Sequence, residues 1–532
     1  MGAERHLSRR RLLQRGGGGL AVAVAAAGVR PVAAQPATPP PAVATPMGTG
    51  TGLADAALPQ FEADVAAALS AFRIVGAAVA LVDRRGIRFQ RGFGVRDVAG
   101  GGPVTPETHF FVASTTKSMS ATLVASFVDD GAFAWDQPVR EVWPDFRAPT
   151  PELTASLRVR DLLGMASGIG EPPAVSSFHE GDPTAGDLLR SLATLPVIAP
   201  PQTEYFYNNT VYAAGGYLPA LVQGTPENGL EAAYARLLTE RVSRPAGMAT
   251  ARITDDPRPY VTDYATGHAF EFQHGTTAVP FAPVGSYAPV GGTLASLADM
   301  SAYVATQLNA GVSPLGRRVV SAANLAECWK PHIALPRAGS LDPDREQAGY
   351  GMGWISQTYR GGRRLVWHNG GIDGYTSFIG FFPEDDLGLV VLTNMGPLPR
   401  GLYFTSHVLN LVLAAGFGLN AGANAAVDAA YEAAEQQLRD LAGKAAPVAA
   451  DVVAPYLGFY AKGWRLEFDA EGTLRLHQSS RAIPLLAMPD GSYVMASGEM
   501  PGTPVRLTTD AEGLRWLEIE AFETVRWSNG LD

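Results

Sequence analysis

Hydrophobic and polar positions follow two different periods along this chain, and the switches between them outline its architecture. Residues 74–83 (IVGAAVALVD) are apolar and β-branched, Arg84-Arg85-Gly86 makes a turn, and residues 87–95 alternate, a pattern that predicts a β-hairpin. Thr105-Pro106 opens a loop into the apolar Phe110-Phe111-Val112. A helical period then begins at Ser114, with Met119, Leu123, Phe127 and Val128 on one face. Helical spacing returns at 158–166, 211–223, 229–242, 296–309 and 402–416, and strand-like runs return at 363–367, 375–382 and 387–393. Strands at both ends of a mostly helical middle predict an α+β domain: one antiparallel sheet completed by the two ends and flanked by helices, with an all-helical region.

The character of the chain changes outside this region. Residues 424–445 read as a polar, Ala-rich connecting helix. After Pro447, short alternating runs at 465–468, 474–477, 493–496, 517–519 and 524–527, separated by Gly, Asp and Asn turns, predict a small all-β domain, sandwich or barrel. At the other end, Ser8-Arg9-Arg10-Arg11-Leu12-Leu13-Gln14 resembles a twin-arginine export motif; an uncharged apolar run (16–29), Arg30 and the small-residue site Val32-Ala33-Ala34 follow. The run is shorter than the ~20 apolar residues of a membrane span, and no Cys near the cleavage site indicates a lipid anchor. The mature chain is therefore expected to lack a transmembrane anchor and to work in the periplasm, cell envelope or medium. The expected organisation is a leader (1–34), a Pro-, Ala-, Thr- and Gly-rich linker (35–52), the α+β domain (53–420), a helical connector (421–447) and the small β-domain (448–532).

Composition narrows the function. A length of 532 residues suits one large domain plus a smaller one, and 59 Gly with 40 Pro imply many turns. The net charge of −10 becomes about −15 once a leader with six Arg and one Glu is removed. Such a surface, with no basic stripe, excludes nucleic acid as a partner. Cys328 is the sole cysteine, which excludes an intramolecular disulfide and a Cys-based zinc site. His268 and His274 lack metal-ligand spacing.

Three short motifs carry candidate chemistry. A serine hydroxyl needs a neighbouring base to become a nucleophile. In Ser114-Thr115-Thr116-Lys117 the amine lies one helical turn from the hydroxyl, and a helix start adds free N–H groups and a positive dipole end. Taken alone, the tetrapeptide can also be read as a capping serine beside a solvated lysine. Tyr207-Asn208-Asn209 is the one Tyr-x-Asn of the chain; its phenol can relay a proton and its amide can hold a carbonyl or the lysine, or it is a core tyrosine with a turn-forming Asn pair. His368-Asn369-Gly370, followed by Gly371 and Gly374, reads as a histidine ending a strand, before glycines that allow close backbone approach, or as a structural histidine. His179-Glu180-Gly181 has the same local form but lies in an irregular Pro-rich stretch and is assigned to a loop.

In this order and spacing, Ser-x-x-Lys, Tyr-x-Asn and His-x-Gly resemble the serine β-lactamase and penicillin-binding-protein superfamily. The resemblance spans roughly 55–415 and is closest to the branch of class C β-lactamases, family-VIII esterases, D-aminopeptidases and D-Ala-D-Ala carboxypeptidases. Supporting stretches are Gly94-Val95 with Val104-Thr105-Pro106, Val159-Arg160-Asp161-Leu162-Leu163 with Ser167-Gly168, Gly291-Gly292, and Tyr350-Gly351-Met352-Gly353-Trp354.

The resemblance implies Ser114 as nucleophile, Lys117 and Tyr207 as proton carriers, and the backbone N–H groups of Ser114 and Gly371 as oxyanion donors. It also implies Asn209, His368 and Gly370 as substrate contacts, with no metal or organic cofactor. The family's Lys-Thr-Gly is replaced here by His368-Asn369-Gly370, which weakens the case for binding a substrate carboxylate. The expected activity is hydrolysis of a small-molecule or peptide substrate at an ester, D-amino-acid amide or lactam carbonyl. The alternative is a catalytically weak relative that binds cell-wall peptides or a protein partner. The absence of G-x-S-x-G removes the α/β-hydrolase reading.

Overall fold

The computed structural model describes residues 53–171, 184–281, 284–336, 341–460, 464–478, 481–498, 501–520 and 523–526. The leader, the linker, His179 and residue 527 lie outside the described residues.

Eight antiparallel strands form the central sheet: β1 (Gly76–Asp83), β2 (Gly86–Gly94), β3 (Ile333–Ala334), β4 (Arg345–Tyr350), β5 (Ile355–Tyr359), β6 (Arg364–Ile372), β7 (Tyr375–Phe382) and β8 (Leu387–Thr393), in the order β2-β1-β8-β7-β6-β5-β4-β3. Strand β1 pairs with β8 from Ala77↔Thr393 to Val82↔Gly388, so the two ends of the domain meet side by side, as the pattern predicts. Side chains alternate strictly across β1. Ala78, Ala80 and Val82 enter one core, with Leu123, Tyr212 and Trp354. Ala77, Val79 and Leu81 enter a second, with Phe61, Phe404 and Tyr431. Burial on both faces is why β1 and β8 read as nearly continuous apolar runs.

Helices α2 (Thr116–Asp129), α3 (Asn209–Val222) and α4 (Leu297–Leu308) pack on the first face, and α1 (Leu58–Ala71) and α5 (Leu402–Phe417) on the second. The helix expected at 158–166 is shorter, Val159–Leu163; Gly164 follows it and Met165 turns left-handed at φ 54°. His368 lies inside β6 rather than at a strand end, because β6 continues through Ile372.

Gly353 (φ 72°) explains part of the Tyr350–Trp354 stretch. A Cβ there would lie 2.5 Å from Tyr212 Oη and 2.6 Å from the Lys117 carbonyl oxygen, the two atoms that the Tyr212 O–H···O=C bond of 2.7 Å joins. Gly353→Ala is expected to cost about 1–3 kcal/mol, read as a lowered thermal midpoint. Gly361→Ala, at φ 85° with open space around it, is expected to show the conformational part alone.

Helix α6 (Ala423–Lys444) buries Ala423, Val427, Tyr431, Glu435 and Leu438, a stripe at three- and four-residue spacing. Beyond it, eight strands from Gly458–Phe459 to Glu523–Arg526 follow one another in sequence order as an antiparallel meander. It is a single curled half-barrel around Tyr460, Trp464, Leu476, Val505 and Leu517, rather than a sandwich or closed barrel. Strand Arg481–Ala487 changes partner at Pro484, pairing with Leu474–Gln478 up to that residue and with Tyr493–Met495 after it. The half-barrel is tied back by paired backbone bonds between Ala446 and Ala487 (3.0 and 2.8 Å) and by Phe272 N–H to Ala496 O (2.9 Å). Among the described residues, no helix is long and apolar enough to cross a membrane.

Candidate active site

A small sheet beside the main one sets the nucleophile candidate, Ser114. Strand His109–Phe111 pairs with Thr293–Ser296, and the Val112 N–H bonds to Thr293 O at 2.9 Å. The chain then turns through Ala113 in the left-handed region (φ 48°) into a single 3-10 turn, Ala113–Thr115, that runs on into α2. The first internal bond of that turn is Thr115 N–H to Val112 O (3.3 Å). The Ser114 N–H precedes it and has no partner within the helix. Every residue from Thr108 to Phe127 is buried except Ser114, which is partly open. The nucleophile candidate is thus a notch in an otherwise closed segment.

Lys117 is fully buried, and its Nζ lies 3.2 Å from Ser114 Oγ and 3.3 Å from the Val290 carbonyl oxygen. That carbonyl precedes Gly291-Gly292 and the strand bonded to Val112, so one small sheet positions both partners of the amine. Burial pushes the Lys117 amine well below its ordinary value, with Glu171 acting in the opposite sense. The ring of Tyr207 lies 4.7 Å from Nζ, and its hydroxyl is within hydrogen-bonding reach of Ser114. Burial raises the phenol while the bond to Ser114 lowers it, and burial dominates. A lowered amine beside a raised phenol fits a dry site, where an isolated charge is expensive.

Strand β6 supplies the opposite wall. A Cβ on Gly370 would lie 2.2 Å from Val112 O, 2.5 Å from Ser377 Oγ and 3.0 Å from Ser114 N, so only glycine lets β6 approach this closely. The tight loop Asp373-Gly374 closes the hairpin at Ile372↔Tyr375, which makes Gly371↔Thr376 a non-hydrogen-bonded pair. The Gly371 N–H therefore points away from β7, to the edge that β5 leaves unpaired beyond Trp367. His368 is buried; its Nδ1–H donates to Asn369 O, and Tyr350 O–H donates to Nε2 at 3.1 Å. Burial, with Lys117 nearby, lowers this imidazole to about 3, so the ring is neutral at working pH. It faces Tyr207 at a centroid distance of 6.4 Å, with both nitrogens used inside the protein.

Asn209 opens α3. Its backbone N–H donates to Glu171 Oε1 at 2.8 Å, and the Thr210 N–H does so at 3.3 Å. Burial raises this carboxyl to about 7, against the two N–H groups, Lys117 and the Asn209 side chain. Glu171 and the Val290 carbonyl are site residues that sequence reasoning missed. Nothing in Gly170-Glu171-Pro172 signals proximity to Lys117, whereas Gly291-Gly292 marked the Val290 neighbourhood without indicating its role.

A cavity of about 510 Å³ lies elsewhere, among Trp135, Arg158, Glu327 and His332. Its charges are paired with one another, as in Arg160–Glu327 at 2.6 Å. Among the described residues, no cluster of three or more His, Cys, Asp or Glu could hold a metal. What the described site can do is move a proton between a hydroxyl, an amine and a phenol while two backbone N–H groups face one small space.

The Beta-lactamase family matches residues 61–406, the span that holds all of these groups. Among curated relatives, the unguisins hydrolase ungD of Aspergillus violaceofuscus (strain CBS 115571) is 29% identical over 63% of this chain. Penicillin-binding protein 4 of Amycolatopsis lactamdurans is 29% identical over 55% of this chain and 74% of its own length. The chain spans 60% of the length of the Aspergillus relative. The octameric penicillin-binding protein homologue of Pyrococcus abyssi has a TM-score of 0.57 at 20% identity, over 88% of this chain and 99% of its own. SurE has a TM-score of 0.55 at 21% identity, over 89% of this chain and 99% of its own. At such identities these structures speak to the fold, while the family match covers well over half of the chain: this protein belongs to the Beta-lactamase family, within the serine β-lactamase and penicillin-binding-protein superfamily.

Proposed function

We propose that this protein is an exported serine hydrolase that cleaves esters or amides through an acyl-enzyme on Ser114. Ser114 Oγ attacks the carbonyl carbon as Lys117 Nζ takes the hydroxyl proton. The carbonyl electron pair collects on oxygen, facing the N–H groups of Ser114 and Gly371, each worth about 3 kcal/mol to such a charge. Collapse of this intermediate breaks the bond to the leaving group, which receives the proton through Tyr207. Water then attacks the acyl-enzyme and gives its proton to the Lys117–Tyr207 pair. Ser114 departs with that proton, so the site ends as it began.

The observation that carries this reading is the 3.2 Å approach of a buried amine to the one partly open hydroxyl of its segment. A neutral His368 with both nitrogens engaged offers no cation for a substrate carboxylate. Neutral esters and D-amino-acid amides are therefore favoured over carboxylate-bearing lactams. Asn209 orients the acyl side, and His368 with Gly370 shapes the edge of the cleft. Work outside the cytoplasm rests on the twin-arginine pattern at 8–14.

The test is a fluorophosphonate probe followed by peptide mapping. A single adduct on the peptide containing Ser114 is expected. No adduct, or an adduct on another serine, overturns the reading. A p-nitrophenyl ester, D-Ala-p-nitroanilide and nitrocefin then rank the substrate classes, and a preference for nitrocefin overturns the role given to His368.

A further inference from the structure

We propose that Tyr350 and His368 are positioning residues for the oxyanion edge of β6: the Tyr350 O–H fixes the imidazole, and the imidazole N–H holds the Asn369 carbonyl beside the Gly371 N–H. The inference rests on the Ser114 acyl-enzyme reading for its catalytic meaning, but on separate contacts for its geometry. Gly371↔Thr376 and Asn369↔Phe378 are both non-hydrogen-bonded pairs of the β6–β7 hairpin. The Asn369 carbonyl and the Gly371 N–H therefore point the same way, away from β7. The pairing of β6 with β5 ends at Trp367, before either residue. A carbonyl oxygen on that edge is a partial negative charge next to the space where the substrate oxygen becomes negative.

The His368 ring answers that charge. Its Nδ1 lies 2.5 Å from Asn369 O, and a carbonyl only accepts, so the ring proton sits on Nδ1. A neutral ring then carries a bare Nε2, and Tyr350 Oη, 3.1 Å away, is its donor. Tyr350 is itself held from several sides. It is fully buried at the end of β4, and its carbonyl accepts from the His332 N–H at 2.7 Å. A Cβ on the next residue, Gly351, would lie 2.3 Å from Cys328 O, so the backbone is closely packed there. The Tyr350 ring stands edge-on to the imidazole at 5.9 Å, and lies 6.4 Å from the Tyr207 ring and 5.9 Å from that of Tyr205. The bonds thus run from the core, through one tautomer, to the peptide that leads into Gly370-Gly371. His368 acts on the reaction through the backbone.

Tyr350→Phe keeps the ring and its packing and removes only the O–H. It is expected to lower kcat toward a p-nitrophenyl ester about tenfold, and His368→Ala about 10²-fold. KM should stay unchanged in both, because this edge matters most once charge has developed on the substrate oxygen. The side-chain amide of His368→Asn can stand where the Nδ1–H stands, and is expected to recover most of the kcat lost in the alanine variant. The longer His368→Gln reaches the place of Nε2 instead and is expected to recover little.

The chain has nine histidines, so isotope-labelled histidine NMR of the whole protein can follow ring 368, assigned by its loss in His368→Asn. A single tautomer protonated on Nδ1 is expected in wild type, with its Nε2 resonance displaced in Tyr350→Phe. A wild-type ring protonated on Nε2 overturns the proposal. So does a raised KM at unchanged kcat in His368→Ala, which would make the ring a substrate contact, and so does an Asn variant no more active than the Gln variant. Failure of the underlying reading looks different: the fluorophosphonate probe leaves wild-type Ser114 unlabelled, while the histidine spectrum still reports the tautomer and its dependence on Tyr350.

Discussion

Ser114→Ala, Lys117→Met and the double variant are each expected to lose about the same activity, on the order of 10⁴-fold in kcat/KM toward a p-nitrophenyl ester. The reason is that the two side chains act as one group. A hydroxyl without the buried amine 3.2 Å away stays protonated, and the amine without the hydroxyl has nothing to activate. Free energies of such a unit do not add, so the double variant should lie near the single ones. An additive loss would mean that Lys117 acts on substrate independently of Ser114. Methionine suits the second position because Lys117 is fully buried and a straight apolar chain fills most of the same space. A circular dichroism spectrum like that of wild type would separate lost chemistry from lost fold.

Gly370→Ala is the second large effect. Its Cβ would stand 2.2 Å from the Val112 carbonyl oxygen and 3.0 Å from Ser114 N, both backbone atoms that cannot swing aside. Either β6 or the turn carrying Ser114 must move by about an ångström, and the nucleophile then no longer shares its space with the Gly371 N–H. A displacement of that size costs roughly 10²-fold in a well-aligned site. The loss should fall on kcat, because the donors matter most once charge develops on the substrate oxygen. An unchanged kcat with a raised KM would place Gly370 in substrate binding instead.

How far the sequence spoke differs between elements for physical reasons. Strands β7 and β8 were legible to the residue, at 375–382 and 387–393, because burial on both faces leaves runs in which Thr376, Ser377 and Thr393 are the only polar residues. Strand β4, Arg-Glu-Gln-Ala-Gly-Tyr, carries polar residues over its exposed half and gives no such signal. Strand Arg481–Ala487 was hidden by Pro484, which is tolerated because the strand changes partner there. Helix α1 went unread, although Phe61, Val65 and Ala68 sit at helical spacing.

The site divides along the same line. Ser114 and Lys117 meet within one helical turn, a distance that spacing alone dictates. Tyr207 and His368 needed the family's order of motifs. Glu171 and the Val290 carbonyl reach Lys117 only through the fold, and no spacing rule leads to them.

Glu435 carries a consequence for where this protein can be divided. From the middle of α6 it bonds Arg400 at 2.8 Å, with both side chains almost wholly buried, and Arg73 at 2.9 Å. Arg400 in turn donates to Thr276 Oγ1 at 2.7 Å and stacks over Phe270. Glu435→Gln, which keeps α6 in place, would leave the Arg400 guanidinium enclosed with no anion, a defect expected to cost about 3–5 kcal/mol. A chain ending near 420 would lose Glu435 and with it the ion pairs to Arg400 and Arg73, so a self-sufficient length is expected to end beyond Lys444. Helix α6 belongs to the catalytic body in energetic terms, and the half-barrel after it is the part whose removal leaves no stranded charge at Arg400.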